Sequence, residues 1–320
     1  MKLKDLNVSV EGTWLNGCLK TLNRELKRKG LVTAHAWISD EWFSPDNTPG
    51  IAMPFYLAHP RLARLERKMF LDVEGGTRRE CMMILRHEAG HIMQHSYQLN
   101  RRRRWQELFG PSSTRYPAAY RANPKSRNYV HHLPRWYAQS HPDEDFAETF
   151  AVWLTPRSNW RVRYAGWAGA IEKLEYVDEL MAEVAEQDPV LTKRVEVDPI
   201  AKLNKTLDEH YEYKLSHYEV DNDTRYDADL KRIFTGRGRS RSIAAASFIR
   251  ENRADLRKAA MRWSGGYQVA LDAILEQLIV RCRTLKLRAN GSERMMRRGL
   301  IRLISTKIVR RASRRQWFAL

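Results

Sequence analysis

Two histidines and a glutamate in the N-terminal half have the residue types and spacing of a metal-dependent hydrolase. His87, Glu88 and His91 form an H-E-x-x-H motif. Residues four apart lie on one face of a helix, so both imidazoles can bind one metal ion while Glu88 stays beside it. In metalloproteases this motif holds zinc with the histidines and uses the glutamate as a general base. The motif therefore predicts a catalytic zinc site.

A catalytic zinc takes three protein ligands and keeps one position for water, so the chain must supply a third ligand. The positions five and six residues after His91 are Ser96 and Tyr97, which excludes a histidine ligand there. His95 lies one turn beyond His91 and extends too far along the same helix to complete a tetrahedron. We expect His95 at the surface or beside a ligand, and the third ligand on another element.

Glu144 and Glu148 are the candidate carboxylates, on a second predicted helix. They are four residues apart, so both can face the histidines from a crossing helix. One would bind zinc, and the other would accept a hydrogen bond from a ligand imidazole and fix its tautomer. The flanking Phe146 and Phe150 predict that this face is buried. Asp145, a quarter-turn away, is predicted to be a solvent-exposed charge at the helix start.

The helices that carry these residues have recognisable boundaries in the sequence. Thr77 and Glu80 form a capping box, which predicts a helix running to about Gln98. Residues 140–143 predict the start of the second helix, which should end just before Pro156. The long segment between the two helices, residues 100–139, is expected to form a wall or lid over the site.

Three short strands are predicted before the first of these helices, at residues 32–38, 50–57 and 68–73. Pro54 has no N–H group, so the second strand should be an edge strand or contain a bulge. An edge strand can dock an extended peptide by strand addition. The expected fold class is α+β, with a small sheet and its edge strand beside the active-site helices.

A longer pattern adds a family resemblance. The run from Tyr137 to Leu154, YAQSHPDEDFAETFAVWL, together with HEAGH at 87–91, resembles the bacterial zinc-binding metallopeptidases of the gluzincin type. The run LEYVDELM at 174–181 is similar to the same family. The resemblance covers roughly residues 10–230. The motif spacing is also similar to that of the anthrax lethal factor protease domain.

The resemblance implies a zincin-like fold and a role for each matched residue. Glu144 would be the third ligand of a Zn²⁺ cofactor, and Glu148 would be the outer partner of a ligand histidine. Glu88 would take a proton from a zinc-bound water as that water attacks a peptide bond. Tyr137 would donate a hydrogen bond to the oxyanion. The implied activity is that of a zinc metallopeptidase with a peptide or protein substrate.

Cysteine usage and hydropathy indicate the cellular compartment of the protein. The three cysteines are far apart and form no C-x-x-C pair, which argues against a disulfide framework and against the zinc-ribbon segment frequent in the resembled family. Residues 1–5, MKLKD, lack the apolar core expected of a signal peptide, and no apolar run of 18 residues occurs. We therefore expect a soluble, cytoplasmic protein without a transmembrane segment.

The net charge of +18 is concentrated near the C-terminus. Residues 221–320 contain 24 Lys and Arg but 9 Asp and Glu, which accounts for +15 of the total. We expect two domains, a zincin-like metallopeptidase domain at 1–230 and a basic, mainly α-helical region at 231–320. The basic region could contact an anionic partner, either nucleic acid or an acidic protein. The alternative function is a non-enzymatic protein that binds such a partner and has a structural or degenerate metal site.

Overall fold

The computed structural model describes residues 1–70, 73–117, 120–217, 226–234, 242–264 and 268–314. The chain separates into two compact units, Met1–His210 and Tyr211–Arg315. The structure is a mixed α/β one in which helices predominate. The helices are α1 Trp14–Arg28, α2 Pro60–Phe70, α3 Arg78–Tyr97, α4 Arg103–Phe109, α5 Pro142–Leu154, α6 Trp160–Arg163, α7 Ala168–Val184, α8 Leu207–His217, α9 Asp227–Ile233, α10 Ala245–Glu251, α11 Arg253–Ser264, α12 Gln268–Thr284 and α13 Glu293–Arg314. No helix among these residues is both long and apolar enough to cross a bilayer.

The first helix shows how the hydrophobic pattern places an element in the N-terminal unit. Leu15, Leu22 and Leu26 recur at helical spacing, and all three are fully buried along α1. The helix is followed by Gly30 at a φ of +72°, a left-handed conformation that glycine adopts at little cost. Helix α1 therefore packs its apolar face into the core from which the site helices are also built.

The sheet of the N-terminal unit corrects one expectation. Strands β1 (Ala36–Ser39) and β2 (Ile51–Pro54) pair in parallel, and every residue of β2 is buried. Ala52 of β2 also pairs with Phe43 in an antiparallel bridge, donating its N–H to the Phe43 carbonyl at 2.9 Å. The predicted edge strand at 50–57 is therefore covered on both sides around Ala52. The Ala52 N–H on the outer side of β2 is therefore already bonded and is not available to a docked peptide.

The third predicted strand, at 68–73, is also wrong over its described part. Helix α2 continues to Phe70, and residues 71 and 72 lie outside the described residues. Leu62, Ala63 and Glu66 repeat at helical spacing; the first two pack against the core and Glu66 is buried. The tract at 68–73 was too short to outweigh the helical pattern of the preceding residues.

The crossing of α3 and α5 is the feature of this unit that matters most for the site. A Cβ atom added at Gly90 would lie 2.7 Å from the Cα atom of Ala147. That distance is shorter than real Cβ contacts allow, so only glycine permits the two backbones to approach this closely. The close approach puts the histidine face of α3 against the glutamate face of α5.

The second unit has a core of its own. The antiparallel pair β3 (Ile243–Ala244) and β4 (Arg288–Ala289) accompanies its helices. Fully buried leucines and isoleucines from α9, α12 and α13 form the centre of this core, together with aromatic residues. The fully buried aliphatic side chains of these three helices are Leu230, Ile274, Leu275, Leu278, Ile279, Leu300 and Ile304.

Candidate metal centre

Helix α3 holds the two histidines on a buried face. It begins with the predicted capping box, in which the Thr77 hydroxyl accepts from the Glu80 N–H and the Glu80 carboxylate accepts from the Thr77 N–H. His87 and His91 are both buried, with exposed fractions of 2% and 9%. Their ring centroids lie 4.9 Å apart, as expected for residues one turn apart on one face.

Helix α5 brings the glutamates to the same place. His141 is its N-cap residue, and the Nδ1 atom of His141 accepts a hydrogen bond from the Asp143 N–H at 3.1 Å. Pro142 occupies the first turn, where a missing N–H costs nothing. Glu144 lies in the same turn, where the positive end of the helix dipole favours a carboxylate.

Three donor atoms converge between the two helices. Glu144 Oε2 lies 2.9 Å from His87 Nε2 and 3.3 Å from His91 Nε2, and the two Nε2 atoms are 3.2 Å apart. Zinc bonds of about 2.0–2.2 Å at tetrahedral angles place ligand atoms about 3.3 Å from one another. His87, His91 and Glu144 could therefore hold a metal ion, and zinc fits their chemistry.

Glu148 fixes the orientation of one imidazole. Its Oε1 atom is 2.9 Å from His87 Nδ1, and its Oε2 atom accepts the Leu133 N–H at 2.8 Å. Glu148 is completely buried. With a proton on Nδ1 of His87 shared with this carboxylate, the Nε2 lone pair is free to face a metal.

Charge is strongly coupled among these side chains. Burial disfavours a positive charge on His87, but the hydrogen bonds that His87 donates to the carboxylates of Glu144 and Glu148 outweigh this effect and raise the pKa of His87 well above its ordinary value. Burial likewise opposes ionisation of Glu144, yet His91 and His87 hold the pKa of Glu144 well below its ordinary value. Glu144 is therefore held as a carboxylate, which is the form that binds a metal.

Glu88 and Tyr137 lie beside the three converging side chains. Glu88 is buried on α3, and its charge is close enough to raise the pKa of both His91 and Tyr137. The Tyr137 ring centroid lies 5.6 Å from that of His87. Burial, reinforced by the charge of Glu144, raises the pKa of Tyr137 well above its ordinary value. Tyr137 is thus a protonated hydroxyl, able to donate a hydrogen bond.

Asp145 corrects the prediction of a solvent-exposed charge. It has an exposed fraction of 1%, and its carboxylate lies 2.5 Å from Lys173 Nζ. Burial raises the pKa of Asp145 to about 7, against the attraction of Lys173. Lys173 also donates to the Asn128 carbonyl at 2.9 Å. This pair could not be predicted from the sequence, because α7 contributes Lys173 from 28 residues away.

Tyr116 is a further residue at the site that sequence reasoning missed. Its hydroxyl donates to Glu144 Oε1 at 2.9 Å. Tyr116 lies in the segment 100–139, which also contributes Leu133 to the environment of Glu148. That segment therefore forms part of the wall of the site. A lone tyrosine in an irregular segment carries no periodicity, so only the folded structure reveals this contact.

The remaining histidines near the site do not join the three converging atoms. His95 Nδ1 accepts a hydrogen bond from the Asn47 N–H at 3.4 Å, and His95 Nε2 lies 3.9 Å from Asp46 Oδ1. His95 therefore faces the segment before β2. Burial lowers the pKa of His95 to about 4. His132 contacts the Met83 carbonyl at 2.9 Å through Nε2.

Comparison with known proteins gives one family match. Residues 75–161 match the family model described as "Putative zinc-binding metallo-peptidase". The matched segment contains α3, α5 and the side chains of His87, Glu88, His91, Tyr116, Tyr137, Glu144 and Glu148. No curated protein and no solved structure gave a significant match.

Proposed function

We propose that the N-terminal unit is a zinc-dependent peptidase of the gluzincin type with a zincin-like fold. The observation that carries this proposal is the convergence of His87 Nε2, His91 Nε2 and Glu144 Oε2 at 2.9–3.3 Å from one another. The presence of Glu88 beside that set favours a catalytic site over a structural one, because a structural site needs no general base. The family match supports a peptide bond as the substrate.

Each side chain has a defined task in this proposal. His87, His91 and Glu144 would hold zinc, while Glu148 keeps His87 in the binding tautomer. When bound, zinc lowers the pKa of water to about 7 and polarises a carbonyl oxygen. Glu88 would accept the proton of the attacking water and later deliver it to the leaving amine. Tyr137 would donate a hydrogen bond to the oxygen that gains negative charge.

The binding part of this proposal is tested by elemental analysis of the purified protein. We expect about one zinc per chain in the wild type, because three ligands is the number that catalytic zinc sites use. Glu144→Ala should retain markedly less zinc after the same purification. Absence of zinc from the wild type after reconstitution would rule out the proposal.

The catalytic part is tested with a peptide library and the Glu88→Gln variant. The wild type should cleave library members, and Glu88→Gln should keep its zinc while losing cleavage by about 10²–10⁴-fold, the usual contribution of a general base. Glu107→Gln is a matched control, since Glu107 pairs with exposed arginines on α4, away from the three ligands. Undiminished cleavage by Glu88→Gln would contradict the role given to Glu88.

A second candidate function belongs to the C-terminal unit. Arg294, Arg298 and Arg302 are exposed and four residues apart on α13, so they form one basic stripe. This stripe favours binding of a polyanion such as nucleic acid, since arginines pair readily with phosphates. The affinity for DNA or RNA fragments should then fall steeply between low and physiological salt. Reversing all three charges to glutamate should abolish binding; unchanged, salt-independent affinity would exclude this function.

A further inference from the structure

The two oxygens of the Glu144 carboxylate have different surroundings. Oε2 faces the Nε2 atoms of His87 and His91, at 2.9 and 3.3 Å. Oε1 accepts the hydrogen bond from the Tyr116 hydroxyl at 2.9 Å. A carboxylate turns about its terminal torsion in a broad, roughly two-fold potential, so this torsion alone does not select one orientation. The hydroxyl of Tyr116 provides a contact that does.

Tyr116 is itself held in place by α5. Its ring stacks on the imidazole of His141 with the centroids 3.7 Å apart and the planes 12° apart. His141 Nε2 contacts the Thr114 carbonyl at 2.7 Å, while its Nδ1 caps α5. The hydroxyl of Ser112 donates to the Asp143 carboxylate at 2.6 Å. Residues 112–116 are thus attached to the turn of α5 that carries Glu144.

Asp143 extends this attachment to the other site helix. The Asp143 oxygen that accepts from Ser112 also accepts from the Gln94 side chain of α3, at 2.7 Å. Asn100, just beyond α3, donates to the Ser112 hydroxyl at 3.0 Å. The segment that carries Tyr116 is therefore bonded directly to α5, and to α3 indirectly through Asp143 and Asn100. These bonds hold the Tyr116 hydroxyl at Oε1 of Glu144.

We propose that Tyr116 is a positioning residue of the metal centre, and that its hydroxyl orients Glu144 so that Oε2 faces the two histidines. This inference rests on the proposed function, since it concerns the same ligand set. Hydrogen-bond partners behind metal ligands typically contribute 10–100-fold to metal affinity. Tyr116 would contribute through the hydroxyl alone, while its ring keeps the segment stacked on His141.

The test measures zinc affinity by competition with a chromophoric chelator for the wild type, Tyr116→Phe and Tyr120→Phe. Tyr116→Phe keeps the stacking ring and removes only the hydroxyl. Tyr120→Phe is the matched control, because its hydroxyl donates to the backbone carbonyl of Arg135 at 3.1 Å instead of to a ligand. We expect about 10–100-fold weaker zinc binding for Tyr116→Phe, and binding within about twofold of wild type for the control.

A spectroscopic readout separates orientation of the ligand from general stability. The visible absorption of the Co²⁺-loaded protein reports the ligand geometry, so it should change in Tyr116→Phe and stay unchanged in Tyr120→Phe. If Tyr116→Phe has the zinc affinity and the Co²⁺ spectrum of the wild type, this inference is overturned and the proposed function still stands. A wild type that binds no zinc, or a Glu144→Ala variant that binds it as tightly as wild type, would overturn both.

Discussion

The interiors of the two units differ in what they bury. The N-terminal unit buries ionisable side chains on α3, α5 and α7, including His87, Glu144, Glu148 and Lys173. In the C-terminal unit, Lys214 and Asn252 are the buried polar residues among the described side chains, and neither belongs to a cluster of buried charges. Its charges lie outside a core of leucine, isoleucine and aromatic residues.

The difference in buried charge indicates which unit has an interior suited to chemistry and which has one that serves stability alone. Burying a charge is costly unless it is paired, so a cluster of buried charges is retained where something besides stability depends on it. An apolar core with charges outside it needs no such explanation. The comparison therefore supports the proposal that the chemistry belongs to the N-terminal unit, and substitutions in each unit can test it.

The largest effect is expected at the buried ion pair of Asp145 and Lys173. Lys173→Met should lower the free energy of unfolding by about 3–5 kcal/mol, because it leaves Asp145 buried without a partner. The matched control is Arg104→Met, which breaks the exposed pair with Glu172 and should cost about 0–1 kcal/mol. Denaturant unfolding monitored by circular dichroism gives both values. Equal losses of unfolding free energy in the two variants would show that breaking the buried pair costs no more than breaking the exposed one.

The stability of the C-terminal unit should depend on the volume of the apolar side chains in its core. Leu275 is fully buried, so Leu275→Ala should destabilise that unit by about 2–5 kcal/mol through lost burial and the cavity it creates. Val280→Ala, at a position that is 41% exposed, should cost at most about 0.5 kcal/mol. Zinc content and hydrolysis should be unchanged, because every residue of the candidate centre lies in the other unit. Loss of zinc in Leu275→Ala would break the assignment of chemistry to one unit.

A third substitution tests the helix crossing. Gly90→Ala places a methyl group against the Ala147 backbone and should cost about 1–3 kcal/mol by overpacking, with weaker zinc binding. Gly166→Ala has nothing within 4 Å of the added atom and should be neutral. Gly299→Ala, in the C-terminal unit, meets the side chain of Ile233 at 2.9 Å instead of a backbone, so it should cost less than Gly90→Ala. Thermal unfolding and zinc titration of the three variants test this ranking. Equal stability and zinc affinity of Gly90→Ala and Gly166→Ala would contradict it.

The smallest effect concerns pH. Burial lowers the pKa of His132, so the folded protein resists protonation there while the unfolded chain binds a proton near pH 6.5. The contribution of His132 to stability is therefore full above about pH 6.5 and is lost as pH falls below it. Between pH 7.5 and 5.5 the wild type should therefore lose more stability than His132→Gln. Parallel losses in urea unfolding at the two pH values would refute this.

Local signals predicted the helices well. The capping box at Thr77 and Glu80 and the helix start at residues 140–143 both lie where the structure has them. These signals act within a few residues of chain, so sequence is enough to read them. The spacing of His87 and His91 likewise places both on one face of α3 without any knowledge of the rest of the fold.

Contacts between distant segments could not be predicted in this way. The bridge from Ala52 to Phe43 pairs the outer side of β2 at Ala52. The ion pair with Lys173 lies in the interior, so Asp145 is buried where the sequence predicted an exposed side chain. The hydrogen bond of Tyr116 to Glu144 joins a segment without periodicity to a helix. Each of these depends on how separate elements pack, which periodicity and capping residues do not encode.

The crossing of α3 and α5 has a consequence for how such sites vary and how they can be engineered. The relative placement of the histidines and Glu144 is set by contact between helices, although 53 positions of chain separate His91 from Glu144. Loop closure becomes only slightly harder as a loop lengthens. The exposed turn at residues 123–126 should therefore accept inserted residues, even a small folded tag, without moving the ligands. A search pattern for related sites should fix the two four-residue intervals and leave the distance between them free.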